Sequence, residues 1–359
     1  KNGRGGSSRR TRSLMMPLND QEYKALLHYC SENIHNGSSV ARESRVQVGD
    51  FVFKYDTVIS LRSQLFQRHV RKTSYQYKRR GVINAILKSW QNGEHIASIA
   101  QQRGYSPYLL ARVILGEMLP QQTINKESVP AVTNNSKLVA KAVKDTNLIE
   151  NLRLRQEVED CIQGDPDFSP FVDKVRQRVG LAYEHRLARE LAARSLPFAA
   201  EGALRGRGLA KTPDALLEIP VGIRKQTYQW EGAERVDSEW HTIYWIDSKA
   251  MFGDPETFKD DHRAQMEGYV NRFGPGLVVY WFGAAASLVA GEEGGEDGPG
   301  RDVLVWDRFP DEVLLPHREL ALPGRDWAAP TRRRLGALRA AAAAAAAAEE
   351  DEDGGHGGG

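Results

Sequence analysis

Hydrophobic periodicity changes at about residue 195, and this change limits the fold more than any other feature of the chain. Before it, apolar residues recur at helical spacing, as in Tyr23, Leu26, Leu27 and Tyr29 behind the N-cap candidate Asn19. The reading is helical over most of 17–120, and again over about 148–162 and 170–194. After it, short runs at 197–200, 214–219, 242–248, 277–282 and 302–306 read as strands, with one helical segment at about 260–273. Helix, three strands, helix, strand and edge strand is the order of an α/β domain.

Five parts are expected along the chain. Residues 1–16 form a basic, disordered tail whose Arg9, Arg10 and Arg12 are either a nuclear address or a plain solvated end. Residues 17–120 form a helical domain. In it Ile96–Ala100, a turn at Gly104, a Ser106 cap with Pro107 at the first helical position and Leu109–Leu115 make a helix-turn-helix candidate. The same pattern also fits an ordinary helical hairpin in a bundle. The densest basic stretch outside the tail is 58–80, with Arg62, Arg68, Arg71, Lys72, Lys78, Arg79 and Arg80 around Tyr75 and Tyr77. Residues 121–145 are polar, poorly periodic and read as a linker, and 146–325 hold the α/β domain. Within that domain 222–239 is a polar loop and 291–300 an acidic insertion. The segment 326–359, with its alanine run and Gly end, is a low-complexity tail to which no role is assigned.

Composition excludes several classes. With 41% hydrophobic and 27% charged residues the chain has the balance of a soluble globular protein, and a net charge of +2 leaves the choice of partner open. Cys30 and Cys161 are too few for a disulfide framework or a cysteine-rich zinc site and read as buried small hydrophobes. No apolar run approaches the ~18 residues that span a bilayer, and no signal-peptide core opens the sequence, so an intracellular protein without membrane contact is expected. A serine-hydrolase elbow and a zinc-protease helix are absent. Gly274-Pro275-Gly276 lacks a following Lys-Ser/Thr pair and reads as a helix stop rather than a phosphate loop. His185 and His241 lack ligand spacing, and Tyr280 and Trp281 read as core.

One constellation carries chemistry. Lys211-Thr212-Pro213-Asp214 leads into a strand, and Asp247 and Lys249, two apart on the next strand, share one face. Either they sit at a solvent edge as an ion pair, or they line a site. Cleaving a phosphodiester needs an attacking water, neutralised phosphate charge and a stabilised leaving oxygen, and Mg²⁺ or Mn²⁺ held by carboxylates serves all three. Asp214 and Asp247 would hold the metal. Lys249, beside two acids, is expected to stay charged and to orient the water and stabilise charge rather than abstract a proton.

Pro213-Asp214 followed by Asp247-Ser248-Lys249 resembles the PD-(D/E)XK nuclease signature. Lys211–Asp214, Trp245–Ala250 and Asn271–Val278 with Tyr280 and Trp281 together resemble the codanin-interacting nuclease family, whose motif is Thr-Pro-Asp. That resemblance implies a restriction-endonuclease-like domain with a mixed central sheet, behind the helical domain. It implies Glu184 as a helix-borne acid assisting Asp214 and Asp247 at the metal, and Gln265 as a polar group facing the phosphate. It also implies nucleic acid, DNA first, as substrate, a codanin-like protein partner and a nuclear location, with the basic stretch 62–80 engaging the phosphate backbone. Singly each residue has a plainer reading: Glu184 as an exposed helix acid, Asp214 as a turn residue, Gln265 as a surface amide. Two rivals remain, a catalytically silent nuclease fold that serves a protein partner, and a DNA-binding protein that uses only the helix-turn-helix.

Overall fold

The computed structural model describes residues 17–35, 44–124, 135–224, 240–290 and 298–316. The basic tail, the polar loop from 225 to 239, most of the acidic insertion and the low-complexity tail lie outside the described residues. The chain is mixed α/β and divides into two compact units, one of Lys1–Ala182 with Ala250–Thr257 and Tyr280–Ser287, the other of the remainder. Among the described residues no helix is long and apolar enough to cross a membrane.

The first unit opens on α1 (Asp20–Glu32), capped as the sequence predicts. Asn19 Oδ1 accepts from Glu22 N and Glu22 Oε2 accepts from Asn19 N, each at 2.9 Å, so two otherwise orphaned amides are satisfied. A short antiparallel hairpin follows, β1 (Arg45–Val48) and β2 (Phe51–Lys54), inside the stretch read as helical. Then come α2 (Tyr55–Thr73), a 3₁₀ turn (Ser74–Lys78), α3 (Arg80–Gln91), α4 (Ile96–Gln102), α5 (Pro107–Ile124), α6 (Asn135–Lys144), α7 (Leu152–Gly164) and the long α8 (Pro170–Ala193), whose last turns belong to the second unit.

A core of Ile86, Trp90, Ile96, Ile99, Leu110, Ile114, Leu115, Leu154 and Val158 joins α3, α4, α5 and α7. Part of the segment read as a linker is α6, which buries Val139 and Ala142 in the same core; its polar face had masked its helical period. The pair α4 and α5 forms where the sequence places it, with Ser106 Oγ accepting from Leu109 N. Of residues 107–119 on α5, however, only Arg112 is exposed. Cys30 and Cys161 are buried, and burial pushes both thiols up to about 12, as expected of structural cysteines.

The basic stretch at 62–80 is not one surface. Arg62 and Arg68 are 2% and 5% exposed, held by Asp167 and Asp254 at 2.6 and 2.7 Å. Buried guanidinium groups need carboxylate partners, which removes both from any phosphate-binding role. Of its arginines and lysines only Arg71, Lys72, Lys78, Arg79 and Arg80 are exposed.

The second unit contains β3 (Phe198–Ala200), α9 (Glu201–Gly206), β4 (Ala215–Arg224) and β5 (Trp240–Lys249). After α10 (Pro255–Thr257), which belongs to the first unit, come a π-helical turn (Phe258–His262), α11 (Arg263–Phe273), β6 (Gly276–Tyr280), α12 (Ala286–Ala290) and β7 (Val303–Trp306). The strands form one mixed sheet in the order β3-β4-β5-β6-β7. β3, β4 and β5 pair antiparallel, β6 and β7 parallel. Leu277, Val278 and Val279 of β6 are wholly buried, the continuous apolar run of a strand covered on both faces.

Trp245 fixes the centre of this sheet. Its indole is fully buried, donates from Nε1 to Gly274 O at 2.8 Å and meets Tyr269 edge-on at 5.2 Å. A Cβ on Gly276 would lie 2.1 Å from the indole Cε2, so β6 can pass only as glycine. Gly276→Ala is expected to destabilise the protein by ~1–3 kcal/mol, because a locked indole cannot yield as a flexible side chain would. Urea denaturation with an unchanged midpoint would show that the indole has room to move.

Candidate active site

The register of the antiparallel pair β4 and β5 builds the site. Ala215 faces Ile246, so continuing the ladder by one residue sets Asp214 opposite Asp247. Asp214 Oδ2 accepts a 2.7 Å hydrogen bond from Ser248 N, and its carbonyl accepts from Glu201 N at 3.2 Å, which pins the residue between β5 and α9. Ahead of it, Lys211 takes a left-handed backbone (φ 54°), and Pro213 favours an extended conformation at Thr212. The Lys-Thr-Pro-Asp segment is therefore a bend followed by extended chain, which delivers its carboxylate to the strand end.

Asp247 is 2% exposed. Its Oδ2 lies 2.7 Å from Lys249 Nζ, an ion pair of a buried carboxylate with a largely buried ammonium. The Asp247 carboxylate opposes ionisation of Asp214. Burial first, then the charge of Asp247, pushes the Asp214 carboxyl up to about 8. Burial alone would lower the Lys249 ammonium, but Asp247, then Asp214 and Glu184, outweigh it and raise the group above its ordinary value.

A relay of hydrogen bonds crosses from β5 to α11 and back to the turn. Lys249 Nζ donates to Gln265 Oε1 at 3.2 Å, Gln265 Nε2 donates to Tyr269 OH at 2.6 Å, and Tyr269 OH donates to Thr212 O at 2.9 Å. Gln265 and Tyr269 are four apart and so lie on one face of α11. The amide thus has one orientation, oxygen toward the ammonium. Tyr269 is buried, and its phenol is raised first by burial and then by Asp247.

Of the residues singled out from sequence, Asp214, Asp247, Lys249 and Gln265 are brought together, and Glu184 stands at their edge. Glu184 is half-buried on α8, and its carboxyl is raised by burial, then by Glu201 and Asp247. Among the described residues no three acid, histidine or cysteine side chains close into a metal cage. The arrangement that does fit a divalent ion is the Asp214–Asp247 pair, since Mg²⁺ commonly takes one or two carboxylates and fills the rest with water and phosphate oxygens.

Sequence reading missed Tyr269, Glu201 and His262. Tyr269 could have been found from its i+4 spacing to Gln265. Glu201 lies on a six-residue helix too short to show a period. His262 ends the π-helical turn, one helical turn ahead of Gln265; burial, then the Lys249 ammonium, pushes its imidazole down to about 4, so it is neutral at pH 7.

A family described as "Protein of unknown function TPD sequence-motif" matches residues 150–308. The chain is 30% identical over 266 residues to "CDAN1-interacting nuclease 1" of Danio rerio, covering 72% of this chain and 78% of the relative. Against the proteins of the same name from Homo sapiens and Mus musculus it is 30% identical over 265 and 267 residues, covering 72% of this chain and 84% of each relative. No solved structure matches.

Proposed function

This chain belongs to the CDAN1-interacting nuclease 1 family, and we propose that it hydrolyses phosphodiester bonds of nucleic acid, DNA first, in a restriction-endonuclease-like domain. The observation that carries the reading is the buried Asp247 and partly buried Asp214 carboxylates opposed across β4 and β5, with the Lys249 ammonium beside Asp247. Asp214 and Asp247 would hold Mg²⁺ or Mn²⁺, with Glu184 as an outer acid. Such an ion, when bound, polarises the phosphate and eases deprotonation of a water. Lys249, charged at neutral pH, meets the phosphate oxygens and the charge that develops on them. Gln265 holds the ammonium from the far side, and Tyr269 holds Gln265. The relatives' name says of them that they interact with CDAN1, so a codanin-like partner belongs to the same proposal; a nuclear location is proposed with it, on the basic cluster Arg9, Arg10 and Arg12. Because α5 exposes so little, α4 and α5 are assigned to the scaffold rather than to reading DNA bases.

The test compares wild type and Asp214→Asn on end-labelled single-stranded, duplex and branched DNA and on RNA, with Mg²⁺, Mn²⁺ or EDTA. Cleavage that needs metal and is lost in the variant is expected. A folded wild type that cuts nothing would overturn the reading in favour of a silent scaffold that binds its protein partner.

The raised Asp214 carboxyl adds a second expectation. A carboxyl whose folded pKa exceeds its ordinary 3.8 keeps its proton in the folded state. Its contribution to stability is complete at low pH and is lost as pH rises through about 8. A divalent ion replaces the proton and removes the penalty. Mg²⁺ should therefore raise the melting temperature clearly at pH ~8.5 and little at pH ~5. Equal shifts at the two pH values would mean that Asp214 is not the group displaced.

A further inference from the structure

The exposed remainder of the basic stretch has a built geometry that the cleavage site does not use. Between Asp56 and Glu94 the sequence holds no acidic residue. The 3₁₀ turn Ser74–Lys78 is anchored from inside: Tyr77 is buried, stacks on Tyr105 with ring centroids 3.6 Å apart, and donates from its hydroxyl to Arg103 O at 3.3 Å. Its neighbour Tyr75 faces out and is 53% exposed, with the Arg79 guanidinium over its ring at 5.2 Å. Three residues per turn set Lys78 on the side of Tyr75. Lys72, three residues before Tyr75, precedes it on the last turn of α2. Glu256 shares Lys72 at 3.5 Å, and Arg80 is engaged by Glu117 at 2.6 Å and is left out.

An exposed aromatic ring carrying a guanidinium plane, held on a rigid turn among cations, matches the chemistry of an unpaired base with phosphates on either side. A duplex offers no free base face at its flank, and an acidic peptide offers charge without the flat ring.

We propose that this face of the first unit binds single-stranded nucleic acid, Tyr75 stacking on an unpaired base while Lys72, Lys78 and Arg79 meet the flanking phosphates. It rests on the nuclease reading only in taking nucleic acid as the ligand.

Binding is measured on the full chain in EDTA, where nothing is cut, by fluorescence anisotropy with a short oligo-dT, an abasic strand of the same length and a blunt duplex. Oligo-dT is expected to bind tightest. Tyr75→Ala should weaken it about tenfold, within the range known for loss of one stacked base, while leaving the abasic strand unchanged. Tyr75→Phe should bind as wild type. Lys78→Ala and Arg79→Ala should each flatten the dependence of log affinity on log salt by up to ~0.7, one phosphate contact on a single strand. An unchanged melting temperature of Tyr75→Ala verifies the fold. Equal binding of oligo-dT and abasic strand, an unaffected Tyr75→Ala, or displacement by polyglutamate at matched charge would each overturn the proposal. Metal-dependent cleavage with no role for Tyr75 sinks this inference alone; Tyr75-dependent binding without any cleavage sinks only the nuclease reading.

Discussion

Lys249→Ala is expected to lower the rate of metal-dependent cleavage by ~10² to 10³-fold, the usual loss when one preorganised donor to developing charge is removed. The side chain is only 17% exposed and is held from two directions, by Asp247 Oδ2 at 2.7 Å and by Gln265 Oε1 at 3.2 Å. Because the three nearby carboxylates more than offset burial, its pKa lies above the ordinary 10.5 and the group is an ammonium throughout the neutral range. A base would need the opposite shift. The role left to it is electrostatic, which predicts a fall in kcat with little change in KM. NMR titration of Nζ should show no deprotonation below the ordinary value, and the pH profile should carry no rising limb that disappears with Lys249. Lys249→Arg should recover little, since a planar fork cannot occupy a pocket shaped for a point charge. A rate unchanged in Lys249→Ala would remove the residue from the chemistry altogether.

The strands of the second unit were legible because each is a short apolar run between turn residues, and β5 put Asp247 and Lys249 on one face by period alone. That Asp214 lies opposite Asp247 was not legible, since register depends on which residues of two strands pair across a long intervening loop. The hairpin β1 and β2 has the alternation Val46, Val48, Phe51, Phe53 around Gly49-Asp50, but two four-residue strands between longer helical patterns carry too little signal to displace them. Tyr269 escaped for a different reason. Its hydroxyl acts through the carbonyl of Thr212, 57 residues away, and a side chain bonded to distant backbone leaves no mark on local pattern. The charge of the 62–80 stretch was visible, but its division between buried and exposed cations was not, because the partners of Arg62 and Arg68 lie 105 and 186 residues along the chain.

The Arg62–Asp167 pair gives the largest expected effect on stability. Arg62 and Asp167 are 2% and 1% exposed; one guanidinium nitrogen reaches both carboxylate oxygens, at 2.6 and 2.8 Å, and another donates to Ile34 O at 2.9 Å. The two single deletions are not equivalent. Arg62→Ala leaves a carboxylate that can take up a proton or draw on Arg176, already 3.8 Å away. Asp167→Ala leaves a guanidinium that cannot lose its charge and whose Nε is already buried without a hydrogen bond. Asp167→Ala is therefore expected to cost ~3–5 kcal/mol and Arg62→Ala less. The double replacement Arg62→Met with Asp167→Leu, which removes both charges and fills the space, should recover most of that loss, because the pair's Coulomb attraction does little more than offset its own desolvation. Urea denaturation of the four proteins reads the three losses against wild type. If Asp167→Ala lost under ~1 kcal/mol, water would have to reach the stranded guanidinium, and the ion pair would count as a surface contact despite its burial.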